Sequence, residues 1–333
     1  MKKFLNDPVN FVDEMLEGIY RAHPELTYVD NDKRCMVTAN IKSGKVGIAT
    51  GGGSGHLPLF LGYIGEGMID GAAVGGVFQS PSSEQMYQVT KAIDQGAGVL
   101  YIFGNYSGDI INFDMAAELA DLDGIAVKQV VGNDDVASSV VGEEHKRRGV
   151  AGIFFVYKAA GAAAANGLSL DEVTRLADKA RLRTRTMGVA LSSCVVPEIG
   201  HATFSIREDE MEIGMGIHGE PGISRKKLAT ADAVIDELME RIFAEQTYAK
   251  GDEVAVLVNG LGGTPLEELY IMFRRVSQLF DERGVTVKHV WIGEFATSME
   301  MAGASVSVLH LDEELEPLVA ASAKTPFFKH IAG

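Results

Sequence analysis

Lys45-Val-Gly-Ile-Ala-Thr50 runs directly into Gly51-Gly-Gly-Ser-Gly-His56. The first six residues read as a buried strand, and the glycine run reads as the turn leaving its C-terminal end. The same unit recurs downstream. An apolar run at 72–78 ends at Gln79-Ser80-Pro81, with a helical stretch at 82–94 behind it. A third strand at 98–103 ends at Gly104-Asn-Tyr-Ser-Gly-Asp109, followed by a helix through Leu122. Residues 127–131 end in Gly132-Asn-Asp-Asp135, and 150–156 is a further strand candidate. Strand, glycine-rich turn and helix in alternation specify an α/β fold with a mostly parallel sheet. The glycines gather where strands end, which is the edge where such sheets place their sites.

A helix over 169–185 opens with the capping pattern Ser169-Leu-Asp-Glu172 and closes in a basic run at 179–185. The domain boundary is placed just after it, giving a first α/β domain at 1–186 and a second at 187–333. The second domain begins with the apolar run 187–191. Shorter alternating segments at 201–206 and 211–217 are expected to be antiparallel strands with one wet face. A helix at 231–249, a strand at 253–258, a helix at 265–281 and a strand at 285–292 complete a mixed sheet.

The chain of 333 residues is 46% apolar, enough to bury a sizeable core. Its formal net charge of −16 argues against sequence-independent nucleic-acid binding and against an anionic membrane surface. Two cysteines, Cys35 and Cys194, make no disulfide framework and no CxxC pair, which fits a reducing compartment. No apolar stretch follows the lysines near Met1, so a secretory leader is not expected. The most apolar region, 149–168, is interrupted by Lys158 and Asn166 and is too short to span a bilayer. A cytoplasmic protein is the expectation.

Three segments carry candidate chemistry. The run Gly51 to His56 lets backbone amides approach a ligand, but it lacks the Lys-Ser/Thr of a P-loop and the spacing of a dinucleotide fingerprint. It is either a ligand cradle or a plain tight turn. Asp109 would share a sheet edge with His56 and could take a proton from an attacking hydroxyl. On spacing alone, the cap of the helix starting at Ile110 is the simpler reading. In Gly214-Met-Gly-Ile-His218-Gly-Glu-Pro-Gly222 the imidazole of His218 is accessible, and a neutral imidazole can add to a ketone. A turn histidine satisfied by backbone is the reading that its local sequence favours. The other six histidines show no metal-ligand spacing, and no metal site is expected. Thr264-Pro-Leu-Glu267 reads as a capped helix start.

Together these motifs resemble the substrate-binding K subunit of the dihydroxyacetone kinase family, nearly end to end. The resemblance is carried by Gly51 to His56, Gly62-Tyr-Ile-Gly-Glu-Gly-Met68, Phe78-Gln-Ser-Pro81, Asn105 to Asp109 with Asn112-Phe113, Arg147-Arg-Gly149, Gly216-Ile-His-Gly-Glu-Pro-Gly222, and Asn259-Gly-Leu-Gly-Gly-Thr-Pro-Leu-Glu-Glu-Leu269. It implies that His218 binds the ketone carbon of a short ketose as a hemiaminal. It implies that His56 assists catalysis and Asp109 activates the terminal hydroxyl. Gly52, Gly53, Ser54 and Gly55 would cradle the substrate, with Phe78 and Ser80 beside them. It further implies a homodimer without a cofactor of its own. The phosphoryl group would come from a separate L subunit carrying ATP or ADP with Mg2+, because no such domain follows here before Gly333. A paralogue that senses the ketose through a regulatory partner is the alternative.

Two departures flank the site: many members have Glu where Leu57 stands and Lys where Gly104 stands. Both are expected to enlarge the pocket and admit a four-carbon ketose such as erythrulose alongside dihydroxyacetone.

Overall fold

Two six-stranded sheets carry the fold in the computed structural model, which describes residues 2–202 and 204–332. In chain order the first half contains α1 (Phe11–Ala22), β1 (Leu26–Val29), β2 (Asp32–Thr38), β3 (Gly47–Ser54), β4 (Gly71–Val77), α2 (Ser83–Ile93), β5 (Val99–Gly104), α3 (Ser107–Leu122), β6 (Val127–Gly132), α4 (Ile153–Ala165) and α5 (Leu170–Leu182). The second half contains β7 (Thr184–Ala190), β8 (Glu210–Ile213), β9 (Ser224–Lys227), α6 (Ala231–Glu245), β10 (Glu253–Gly260), α7 (Leu266–Arg283), β11 (Thr286–Gly293), β12 (Gly303–His310), α8 (Leu315–Ala320), β13 (Ala323–Lys324) and β14 (Lys329–His330).

The first sheet has the order β1-β2-β4-β3-β5-β6. Its β4, β3, β5 and β6 are parallel, so their C-terminal ends share one edge, while β1 and β2 add an antiparallel margin. The second sheet, β11-β10-β12-β7-β8-β9, is mixed: β10 and β11 are parallel and the remaining pairs antiparallel. This is the expected α/β architecture of a mostly parallel sheet and a mixed one.

Three local expectations are corrected. Residues 150–156 are not a strand; the helix α4 begins at Ile153. A continuous apolar run reads the same for a buried strand and a buried helix. Here the run extends to Ala165 and α4 is buried nearly all round, packed between the two halves of the molecule. Glycines 51–53 are not a turn: β3 continues through Ser54, paired with β4, so the turn proper is Gly55 and His56. The segment 201–206 makes no regular strand among its described residues; Ala202 forms a single bridge to Val195, and Thr203 lies outside the described residues. The hairpin β1–β2 and the helix α1 were not anticipated from the sequence.

The expected capping at Ser169 is present, its hydroxyl accepting from the Glu172 amide. The core does not stop at 186. One hydrophobic cluster joins Ile48 and Leu100 of the first sheet, through Phe154 and Tyr157 of α4, to Leu257 and Leu309 of the second. The two sheets are thereby held as neighbours across α4, which is what lets a loop of the second half reach the strand-end edge of the first. Among the described residues no helix is long and apolar enough to cross a membrane.

Candidate active site

Three consecutive strand ends of the first sheet deliver the first group of side chains. His56 follows β3, Phe78 and Ser80 follow β4, and Asp109 lies two residues into α3 after β5. The loop between β8 and β9 brings His218 over from the second sheet. Its ring centre stands 4.6 Å from His56, 5.4 Å from Phe78 and 4.6 Å from Tyr106, edge-on to each. Phe78 stacks on His56 at 4.8 Å. Residues 22 to 162 positions apart in sequence thus form one ring cluster.

Each histidine has one ring nitrogen committed. His56 is fully buried, and its Nδ1 donates to the Thr297 carbonyl at 2.7 Å. A carbonyl only accepts, so the proton sits on Nδ1 and Nε2 carries the lone pair. Burial, then the neighbouring His218, lower the His56 pKa to about 3, against the smaller opposing effect of the Thr297 bond. The ring is therefore neutral at physiological pH, and its buried Nε2 has no hydrogen-bond partner among the described residues. His218 Nδ1 pairs with Glu220 Oε1 at 2.9 Å, and the other carboxylate oxygen accepts the His218 amide at 2.9 Å. Burial alone would raise the Glu220 carboxyl, but the hydrogen bond and charge of His218, with Arg148, outweigh it and hold it at about 2. With the carboxylate accepting from Nδ1, the lone pair of His218 lies on Nε2.

Asp109 does not cap α3. The helix starts at Ser107, and Asp109 sits inside its first turn without capping it. Its carboxyl is 5% exposed. Burial pushes its pKa up to about 6, moderated by a hydrogen bond from Ser80 and by His218. Its Oδ1 and the Ser54 hydroxyl are, like His56 Nε2, buried atoms without a partner among the described residues. Buried polar atoms are rarely left unpaired in a folded protein. His56 Nε2 and Asp109 Oδ1 belong to residues that both face His218, which makes this a candidate place for a polar ligand to complete the bonding.

The glycines act by exclusion. A Cβ on Gly52 would lie 2.4 Å from the Phe60 ring, and one on Gly53 would lie 2.6 Å from the Gln79 amide and 2.7 Å from the Phe78 Cα. Phe78 itself has φ +59, a left-handed conformation that costs a bulky residue of order 1–3 kcal/mol. The close approach of β3 holds it there and its ring on His56. Gly53→Ala is expected to lower stability by about 1–3 kcal/mol through overpacking and to reduce turnover by displacing Phe78. Denaturant unfolding beside a rate assay checks this, and a variant as stable and active as the parent would show that the backbone yields freely.

Several participants lie in or near the quoted motifs without a role having been read for them. Glu220, Tyr106, Arg148 and Thr297 were not singled out as site residues. Glu220 had a signal, a carboxylate two residues past His218 in the same glycine-rich loop. Arg148 pairs with Asp135 at 2.7 Å and donates to the Gly214 carbonyl at 2.9 Å, tying the His218 loop to the first half. Arg147, fully buried, pairs with Glu245 of α6 at 2.9 Å. Thr297 lies 241 positions from His56 and had no local signal at all. At Gly104 the expected extra space is absent: a Cβ there would meet the Tyr106 ring at 2.9 Å. Tyr106 lies over the glycine, its hydroxyl donating to the Gly149 carbonyl at 3.1 Å. Among the described residues no group of three or more His, Cys, Asp or Glu is arranged to hold a metal ion.

The Dak1 domain family matches residues 17–327. The chain is 47% identical to the PTS-dependent dihydroxyacetone kinase 2, dihydroxyacetone-binding subunit DhaK, of Listeria innocua, over 99% of both chains. It is 43% identical to the D-erythrulose kinase of Mycolicibacterium smegmatis, covering all of this chain and 58% of that one. The crystal structure of the dihydroxyacetone kinase of C. freundii superposes with a TM-score of 0.89 at 31% identity, covering 99% of this chain and 60% of that one. A family match over nearly the whole chain, and a relative sharing almost half its residues end to end, establish that the chain belongs to the Dak1 family of dihydroxyacetone-binding K subunits.

Proposed function

We propose that this chain is the ketose-binding subunit of a kinase that phosphorylates the terminal hydroxyl of a short ketose, which it holds covalently on His218. The observation that carries the proposal is the meeting of a carboxylate-oriented His218 with His56 and Asp109, whose Nε2 and Oδ1 are buried and unpartnered among the described residues. Nε2 of His218 adds to the ketone carbon, forming an N–C bond as the C=O π bond breaks. The carbonyl oxygen becomes the hemiaminal hydroxyl by taking up one proton. The imidazole loses one from Nδ1, which passes by way of the Glu220 carboxylate and solvent to that oxygen, so Glu220 ends as it began, the adduct is neutral and no water is lost. Neutral His56 accepts a hydrogen bond from a substrate hydroxyl. Asp109, as the carboxylate, takes the proton of the terminal hydroxyl as that oxygen attacks phosphorus. The phosphoryl group arrives on a separate nucleotide-carrying L subunit with Mg2+, and the K subunit itself works as a homodimer without a cofactor.

Capture through a carbonyl separates ketoses from glycerol, which has the same carbon count and no carbonyl. Between ketoses, the Tyr106 ring over Gly104 closes the space that the missing lysine would open. This supports dihydroxyacetone as the preferred substrate. The 43% identity to a D-erythrulose kinase supports erythrulose as the second reading. Native intact-mass measurement with dihydroxyacetone, both erythrulose enantiomers and glycerol tests this. The expected adduct retains the full ketose mass, is strongest for dihydroxyacetone, and is absent with glycerol. A species lighter by one water would replace the hemiaminal by a dehydrated adduct. An adduct that the partner subunit never phosphorylates would make the chain a sensor instead of a kinase subunit.

A further inference from the structure

The motif beginning Asn259-Gly-Leu-Gly-Gly263 takes no part in the chemistry above, yet its first residue lies one segment away from His56. Asn259, at the end of β10, is fully buried. Its Oδ1 accepts from the amides of Phe295 at 2.8 Å and Ala296 at 2.9 Å. Its Nδ2 donates to the Ala296 carbonyl at 2.9 Å and to the hydroxyl of Ser305, its cross-strand neighbour on β12, at 3.2 Å. All four hydrogen-bonding positions of the amide are therefore used, and three of them fix three successive peptide groups, through the backbone of Phe295 and Ala296.

Those peptide groups lead straight to the catalytic turn. Thr297 follows Ala296, and its carbonyl accepts the proton of His56 Nδ1 at 2.7 Å. The Thr297 hydroxyl donates to the Leu57 carbonyl at 2.9 Å, its amide to the His56 carbonyl at 3.2 Å, and the Met299 amide to the Gly55 carbonyl at 2.8 Å. Tyr63 pins the other end of the segment by donating to the Phe295 carbonyl at 2.7 Å. The segment 295–299 is thus a template against which the Gly55–Leu57 turn is read out, and Asn259 holds the template to the second sheet.

We infer that Asn259 is a positioning residue for His56, setting through the Thr297 carbonyl which ring nitrogen carries the proton. With that carbonyl in place the proton is on Nδ1 and Nε2 accepts. An imidazole freed of it also samples the opposite tautomer, in which Nε2 is a donor and the acceptor is lost. Capture of the ketone by His218 does not depend on this choice. Hydroxyl alignment during phosphoryl transfer does. The inference rests on His56 touching the substrate, as proposed above.

The test uses Asn259→Asp, which keeps the shape but loses the Nδ2 donor and sets a carboxylate oxygen against the Ala296 carbonyl. Thr297→Val is the second variant, moving the same carbonyl without disturbing the buried amide, should the first not fold. Ring-nitrogen chemical shifts of histidine-labelled protein report the His56 tautomer without any ligand. The expected result is a rise in the Nε2-protonated form. Turnover of dihydroxyacetone with the partner subunit falls at least about tenfold, a part of the 10²–10⁴ that a general acid–base group contributes. The adduct mass on His218 stays unchanged. Folded variants that keep His56 protonated on Nδ1, or that lose adduct and turnover in step, would overturn the positioning role. A wild-type protein that forms no dihydroxyacetone adduct would instead overturn the functional reading, while leaving the tautomer result standing.

Discussion

His218→Ala is expected to abolish the proposed covalent retention of dihydroxyacetone and to reduce turnover to the level of a non-covalent complex. The expected loss is the largest of any single substitution in the molecule, because the carbonyl is the only feature separating the ketose from glycerol and nothing else in the cluster is placed to add to it. His56 is the nearest imidazole, but its ring is fully buried and its Nδ1 is tied to Thr297. The fold should survive, because His218 is 22% exposed by its side chain and Arg148 still ties its loop to the first half, while Glu220 loses its ring partner and keeps the backbone amide of residue 218. A change within about 1 kcal/mol is typical of such a position. Native mass spectrometry with thermal unfolding checks both halves. An adduct of undiminished yield in the alanine variant would remove His218 from its role.

Asp109→Asn is expected to move activity and stability in opposite directions. Loss of the proton acceptor lowers turnover by about 10²–10⁴-fold. The same change relieves a buried carboxylate whose Oδ1 has no partner among the described residues. Burial raises the folded-state pKa to about 6, above the ordinary aspartate value of 3.8. Above pH 6 the group is ionised in both states, and the folded state bears the desolvation cost, an upper bound of about 3 kcal/mol at 1.36 kcal/mol per pKa unit. As pH falls from 6 towards 4 the folded state takes up its proton first, so the cost disappears. The stability gain of the asparagine variant should be full above pH 6 and vanish near pH 4. Turnover of the parent protein should fall through the same window as the base is protonated. Thermal unfolding and pH–rate profiles of the pair read this crossing. An asparagine variant that is less stable than the parent, or that keeps a tenth of its turnover, would return Asp109 to a purely structural place in α3.

These two substitutions also show where a local reading of sequence stops. Asp109 lies next to the start of a helix, and composition makes a cap the simpler role; only the helix beginning at Ser107 denies it that role. Glycines 51–53 look like a turn because glycine is rare inside strands. They remain in β3 because Phe60, Phe78 and Gln79 press so closely that no Cβ fits. Residues 150–156 look like a strand because a fully apolar run has no period to read. In α4 every face meets protein, so the period that would reveal a helix is erased. Gly104 looks like an opening until the Tyr106 ring is found over it.

By itself the sequence determined the alternation of strands and helices, the mixed character of the second half, and three motifs with the chemistry of His56, Asp109 and His218. Those follow from local periodicity, turn residues and motif resemblance, which are properties of neighbours along the chain. The tertiary structure alone decided that His218 stands 4.6 Å from His56, that Glu220 and Thr297 each engage one nitrogen of those rings and leave the other free of them, and that burial raises the Asp109 pKa to about 6. Those depend on contacts across as many as 241 positions and on exclusion of water, and both arise only when the two sheets close over α4.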